Sequence, residues 1–219
     1  MKLSNVRLLL YFLFAVITFF GASSRWRSRY GRDVVDPLNL AREAVTSQCS
    51  AASICELFAP HDDLEGILIG LIMAEEKKLQ LAAFKLTSKD VARALLDAHN
   101  RGVTVEVVAD SGGLDTRTNQ IIKLHCGGIP VFIYPDPEVV EGRYSLMHNK
   151  FLICHHSRLS GGMILWTGSF NFTKSAAEYN RENALVILSE KIARSYAKEF
   201  EKLKSESAKL QRVGDERCA

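Results

Sequence analysis

Leu8 to Ala22 is a run of fifteen residues without a charge. As a helix it spans roughly 22 Å at about 1.5 Å per residue, which crosses a thin bilayer or one met by snorkelling flanks. The small residues Gly21-Ala22-Ser23-Ser24 also fit the cleavage region of an exported precursor. Residues 23–37 are polar and show no apolar period, so they read as a linker. From Pro37 the pattern alternates between periods of about 3.6 and 2. Helices are expected over Pro37 to Ser47, then from a cap at Asp62 or Asp63 through Leu64, Ile67, Leu68, Leu71, Ile72 and Ala74. Another runs Val91 to Asn100, capped by Thr87 or Ser88 and closed by Gly102. Asn119 to Cys126, Ser175 to Tyr179 and Glu190 to Leu210 complete the set, the last with Ile192, Tyr196, Phe200 and Leu203 on one face. Strands are expected over Ile54–Phe58, Leu79–Phe84, Val103–Ala109, Ile129–Tyr134, Tyr144–Cys154, Met163–Thr167 and Ala184–Leu188, with His155 to Gly162 as an extended hairpin tip.

Strands alternating with helices predict an α/β sandwich. Its centre is a mostly buried mixed β-sheet flanked by helices, preceded by the N-terminal membrane helix. The chain divides into an anchor with a basic linker, 1–36, and a globular domain, 37–219. There is no internal repeat and no low-complexity segment.

Charge changes this picture at one end. The net charge of +3 is carried by residues 1–36, with six basic and two acidic residues, whereas 37–219 holds 22 basic and 23 acidic. The globular part has no overall electrostatic footprint for nucleic acid, though a local basic groove is compatible with that balance. Lys2 and Arg7 precede the apolar run, and Arg25, Arg27, Arg29 and Arg32 follow it. The stronger basic flank favours the cytosolic side. The expectation is an uncleaved anchor with the domain in the cytosol; the alternative is export after signal cleavage. Five cysteines, an odd count at wide spacing, point to a reducing compartment rather than a disulfide framework. Cys49, Cys55 and His61 are a weak zinc candidate, weighed against a buried Cys55 and a free Cys49.

The chemistry gathers in the last third of the chain. His148-Asn149-Lys150 is followed by Gly168-Ser169-Phe170-Asn171 and Asn180-Arg181-Glu182-Asn183. A histidine can act as a nucleophile near neutral pH. A lysine suits a phosphate oxygen, and Ser and Asn donate neutral hydrogen bonds to developing charge. A carboxylate can hold the imidazole in one tautomer. Phe170 and Phe172 read as packing residues, with contact to a base or an acyl chain as the other option. Asp110-Ser111-Gly112-Gly113 reads as a loop at a strand's carboxyl edge.

These motifs resemble the phospholipase D superfamily, whose signature is His-x-Lys, four residues, Asp, then Gly-Ser-x-Asn. The resemblance runs from about Cys55 to Phe200 and includes Ala83 to Ser88, Val91 to Gly102 and Val103 to Asp110. It is closest to small members carrying one copy, the bacterial Nuc-like endonucleases and the mitochondrial cardiolipin hydrolase (Zucchini-like) group. In two respects the chain departs from the pattern. His155 stands where the signature Asp is expected, and the segment before Gly168 is longer.

The resemblance implies a metal-independent phosphodiester hydrolase that needs no cofactor. His148 would attack phosphorus and form a phosphohistidine. Lys150, Ser169 and Asn171 would bind the non-bridging oxygens, and Glu182 would orient His148. One motif copy implies a homodimer that completes the active site, with a second His148 protonating the leaving oxygen. The implied substrate is a phospholipid such as cardiolipin; the alternative is single-stranded RNA or DNA. A catalytically silent membrane-bound dimerisation module is the third reading. His155 is expected to be peripheral. The expected membrane is the mitochondrial outer membrane in a eukaryote or the inner membrane in a bacterium.

Overall fold

The fold is organised by strands that meet at one end of a sheet. The computed structural model describes residues 36–48, 53–114, 118–135, 139–140, 143–144 and 146–211. The predicted anchor, Leu8 to Ala22, lies outside them. No helix among the described residues is long and apolar enough to cross a membrane. Helix α1 (Pro37–Glu43) continues into a π-helical turn, Ala44–Gln48. Strand β1 (Ile54–Phe58) leads to α2 (Leu64–Ala74), then β2 (Lys78–Ala83), α3 (Lys89–Asn100) and β3 (Thr104–Asp110). Next come α4 (Ile121–Cys126), β4 (Val131–Tyr134) and two short strands, β5 (Val139–Val140) and β6 (Arg143–Tyr144). The chain continues with β7 (Lys150–Ser157), β8 (Gly162–Gly168), α5 (Lys174–Glu178), β9 (Asn183–Ile187), α6 (Glu190–Ser205) and β10 (Ala208–Lys209).

Eight strands form a mixed sheet in the order β1-β9-β8-β7-β2-β3-β4-β10. β2, β3 and β4 run parallel, and the remaining pairs are antiparallel. The caps are those the side chains require. Asp63 Oδ1 accepts from Gly66 N at 2.8 Å and Ser88 Oγ accepts from Val91 N at 3.2 Å, each taking up an N–H that a helix start leaves unpaired. Gly102, at φ 93°, ends α3 in a conformation costly for other residues.

Side chains alternate across the strands, so each face buries its own set. On one face Ala82, Val108, Phe151, Ile153 and Leu165 pack under Ala193, Phe200 and Leu203 of α6. On the other, α2 lies over β7, with Cys154 Sγ 3.8 Å from Leu71 O. Truncating a fully buried phenylalanine such as Phe200 costs about 3–5 kcal/mol, comparable with much of a small domain's stability.

Three expectations are corrected. The strand expected over Tyr144 to Cys154 is interrupted, because Met147 N donates to the Asp110 carboxylate at 3.0 Å instead of to a neighbouring strand. The hairpin tip is shorter than expected: β7 runs to Ser157 because the buried Glu75 carboxylate holds His156 N at 2.9 Å, with a bulge between Cys154 and Ser157. Helix α6 stops at Ser205, and Ala208–Lys209 becomes an edge strand against β4. Its buried stripe is also rotated: Ala193 is buried while Ile192 is 37% exposed.

Cysteine chemistry is corrected too. Cys55 and Cys126 are each disulfide-bonded, against the expectation of free thiols, whereas Cys154 is a buried free thiol. Among the described residues, no group of three or more His, Cys, Asp or Glu could hold a metal. Cys49 is outside the described residues.

Candidate active site

The sheet brings the chemistry to the carboxyl ends of β2 and β3 and the start of β7. Ala83 is opposite Lys150 in the β2–β7 ladder, and Phe84 N donates to Asn149 O at 3.0 Å. The His148–Lys150 segment is thus fixed by backbone bonds to its neighbour. Asp110 fixes the residue before His148. Its side chain is buried, with Oδ2 on Met147 N and Oδ1 on Gly112 N at 3.0 Å.

His148 itself is exposed, but Phe84 covers one side, with ring centroids 4.3 Å apart at 55°. Lys150 is buried. Its Nζ donates to His148 O at 2.8 Å and lies 3.2 Å from Nδ1 and 3.4 Å from Nε2 of the ring. The same ammonium is 5.0 Å from the Phe84 centroid, and Lys85 Nζ is 5.3 Å from it.

Local loss of water pushes the His148 pKa below the ordinary imidazole value, and the Lys150 and Lys85 charges add to this while Asp110 opposes it. A neutral ring with a free nitrogen lone pair is the form able to attack phosphorus. Burial also lowers the Lys150 pKa, opposed by Glu182 and reinforced by Lys85.

Gly168 makes the second half of the site possible. A Cβ there would sit 2.3 Å from Asn183 O, so only glycine lets β8 and β9 approach this closely. Ser169 N then donates to Asn183 O at 3.1 Å, and Asn183 N donates to Ser169 Oγ at 3.0 Å. The Ser169 hydroxyl donates to Glu182 Oε2 at 2.5 Å, and Asn180 Nδ2 donates to Oε1 at 2.9 Å. Asn171 is half-buried, and its Oδ1 is a buried acceptor with no partner among the described residues. Phe170 and Phe172 are fully buried, their ring centroids 6.5 Å apart, so they pack rather than meet a ligand.

His148 and Lys150 therefore come together, as do Ser169 and Glu182, and the electrostatic influence of Glu182 on Lys150 links the two pairs. The expected Glu182–His148 hydrogen bond is absent among the described residues: the carboxylate is occupied by Ser169 and Asn180. His155 lies elsewhere. It is five residues along β7 from Lys150, roughly 17 Å at about 3.3 Å per residue. Its Nε2 is 2.8 Å from Gln80 Oε1, in a network with Glu106, Glu201, Lys78 and Lys204. His61 lines a cleft with Phe58 and Arg181.

Sequence reasoning placed Asp110 and Asn180 near the chemistry without their roles, as anchor of Met147 and partner of Glu182, and missed the cover that Phe84 gives His148. An acid ending a buried β-branched strand, just before Ser-Gly-Gly, was a usable signal for Asp110. The motif named Asn180 without its role, because only the loop after α5 turns its amide onto Glu182.

The family described as "Cardiolipin synthase, PLD-like domain" matches residues 68–204. A mitochondrial cardiolipin hydrolase of Xenopus tropicalis is 31% identical over 150 residues, covering 68% of this chain and 65% of that protein. The chain thus spans just under two thirds of that relative's length. A phospholipase D of Rickettsia prowazekii is 29% identical over 150 residues, 68% of this chain and 67% of that protein. Among solved structures, the phospholipase D family member Nuc from Salmonella typhimurium superposes with a TM-score of 0.61 at 25% identity, covering 73% of this chain and 98% of Nuc.

Proposed function

We propose that this chain, which belongs to the phospholipase D superfamily, is a membrane-anchored phospholipid phosphodiesterase acting through His148. The observation that carries the reading is the buried Lys150 ammonium held against His148, beside the Ser169–Glu182 pair. His148 attacks phosphorus through one ring nitrogen; a P–N bond forms as the bond to the leaving oxygen breaks. Its counterpart in a second copy donates a proton to that oxygen. Water, deprotonated by the same second histidine, then attacks phosphorus and breaks the P–N bond. Lys150 and the Asn171 amide take the non-bridging oxygens, where charge develops. Glu182 acts through Lys150 and Ser169 in this arrangement.

Cardiolipin is the substrate reading supported by the frog relative's name and by the apolar run Leu8–Ala22. The orientation of the domain rests on the arginines after that run alone. The disulfide-bonded Cys55 and Cys126 weigh toward an oxidising side instead. A nucleic-acid reading is supported by the likeness to Nuc across nearly its whole length.

The test compares labelled cardiolipin with labelled single-stranded RNA on the full-length chain, in chelator, with acid-quench trapping. Cardiolipin turnover with label on His148 is expected. Preferential RNA cleavage would assign the nuclease reading, and no turnover of either would leave a silent dimerisation module.

A further inference from the structure

A cleft opens beside the catalytic cluster, lined by Phe58, Ala59, His61, Arg181, Glu182 and Asn183. It shares Glu182 and Asn183 with the site described above, so the two are contiguous. Its walls rest on the sheet: Phe58 is opposite Asn183 in the β1–β9 ladder, and Ala59 N donates to Glu182 O at 2.9 Å.

Two features of this cleft are unused among the described residues. Phe58, at the end of β1, is 54% exposed and presents its ring to the cleft. Arg181 is exposed and makes no hydrogen bond or ion pair with a described residue. Glu182, which lines the same cleft, is held by Ser169 and Asn180.

We propose that this cleft is a subsite for the second phosphate of a lipid carrying two phosphodiesters, with Arg181 as its cation and Phe58 as its apolar wall. The proposal rests on the lipid reading above. A guanidinium presents a planar fork that matches two phosphate oxygens. In such a lipid the second phosphate follows the scissile one through a short glycerol bridge, so it reaches a cleft that adjoins the catalytic cluster. Phe58 covers the bridge and the first methylenes. A nucleic acid also carries a neighbouring phosphate, but extended strands use a basic track with repeated stacking rings. The cleft offers one arginine and one exposed phenylalanine rather than such a repeat.

The test uses the full-length chain in mixed micelles, comparing cardiolipin with phosphatidylglycerol, which has one phosphate. Arg181→Ala is expected to raise KM for cardiolipin roughly tenfold or more, the scale of a lost charge-assisted pair. The rise on phosphatidylglycerol should be several-fold smaller, and Arg181→Lys should recover part of the loss. An equal rise on both lipids, or none on either, overturns the subsite while leaving the lipid reading intact. Loss of single-stranded RNA cleavage in Arg181→Ala, with cardiolipin KM unchanged, assigns the cleft to nucleic acid and also overturns it. A wild-type chain that hydrolyses neither lipid removes the reading on which the subsite rests.

Discussion

Asp110 Oδ2 accepts a hydrogen bond from Met147 N at 3.0 Å, tying the end of β3 to the residue before His148. A buried carboxylate thus takes the place of a strand neighbour. It frees His148 from the ladder and leaves its ring over Phe84.

Asp110→Ala should lower kcat by roughly a hundredfold, the scale expected for a displacement of about 1 Å in a reacting group. It should also destabilise the fold by about 1–3 kcal/mol, because Met147 N is left without its acceptor. Asp110→Asn keeps one good acceptor and should recover part of the rate. Removing the carboxylate also removes a charge that raises the His148 pKa. The acid limb of the kcat/KM profile should therefore move to lower pH in both variants. Unchanged kcat and pH profile would limit Asp110 to supporting the fold.

The pH response of the wild-type chain follows from the direction of the His148 shift. Its pKa is lowered in the folded state, so the ring stays neutral and nucleophilic below the ordinary imidazole range near 6.5. As pH falls through that value the unfolded chain binds a proton that the folded chain does not. His148 therefore subtracts stability at acid pH, and that loss disappears as pH rises above the unfolded pKa. Lys150→Met removes a charge that lowers the His148 pKa, so the ring should titrate at higher pH by NMR. The same variant should lose about two to three orders of magnitude in kcat, the usual cost of removing one donor to a developing oxyanion. A ring titration that stays at the wild-type pH in Lys150→Met would refute the coupling.

The element order and the pairing of His148 with Lys150 were legible because they depend on local pattern. Caps at Asp63 and Ser88 and the turn at Gly102 are written in adjacent residues. The break before Lys150 was not legible, since it depends on Asp110, 37 residues away, and the length of β7 depends on Glu75. Helix α6 illustrates the limit of period alone: Ile192 fits the stripe by spacing, yet Ala193 faces the core. The partner of Glu182 was likewise set by the β8–β9 approach at Gly168, which no spacing within the motif reveals.

Glu182→Gln should leave the fold intact and slow turnover severely. The present carboxylate accepts from Ser169 and Asn180 and opposes the lowered pKa of Lys150. An amide can accept at one atom only, so Ser169 or Asn180 loses its partner. A fall of about two orders of magnitude or more in kcat is expected, within the range for orienting carboxylates. Ser169→Ala should reproduce part of it, and the double variant should lose less than the product of the two, because both changes break one contact. Fully multiplicative losses, measured by kcat in a double-mutant cycle, would show that Ser169 and Glu182 act independently.

His155→Asp restores the residue usual in the signature, and it should cost stability rather than turnover. The imidazole faces Gln80 Oε1 at 2.8 Å, while Gln80 Nε2 donates to Glu106 at 3.1 Å and Glu201 at 2.7 Å. Hydrogen bonds from Lys204, Lys78 and Gln80 outweigh burial and hold the Glu106 carboxyl down at about 2. An aspartate would present an acceptor to the Gln80 acceptor. Turning the amide to suit it would break the bonds to Glu106 and Glu201, and a third carboxylate would join that pair. Lys78 and Lys204 offset part of the repulsion. The expected loss is about 1–3 kcal/mol by denaturant melts, the usual consequence of leaving a buried polar group unpaired. Burial also lowers the His155 pKa. The neutral ring therefore donates to Gln80 at neutral pH and is not poised as an acid at the reaction centre. With roughly 17 Å of strand between it and Lys150, at about 3.3 Å per residue, kcat should stay within about threefold of wild type, well inside what loss of a general acid or base removes. A hundredfold fall in kcat in a protein that melts normally would place His155 in the catalytic machinery and reverse this assignment.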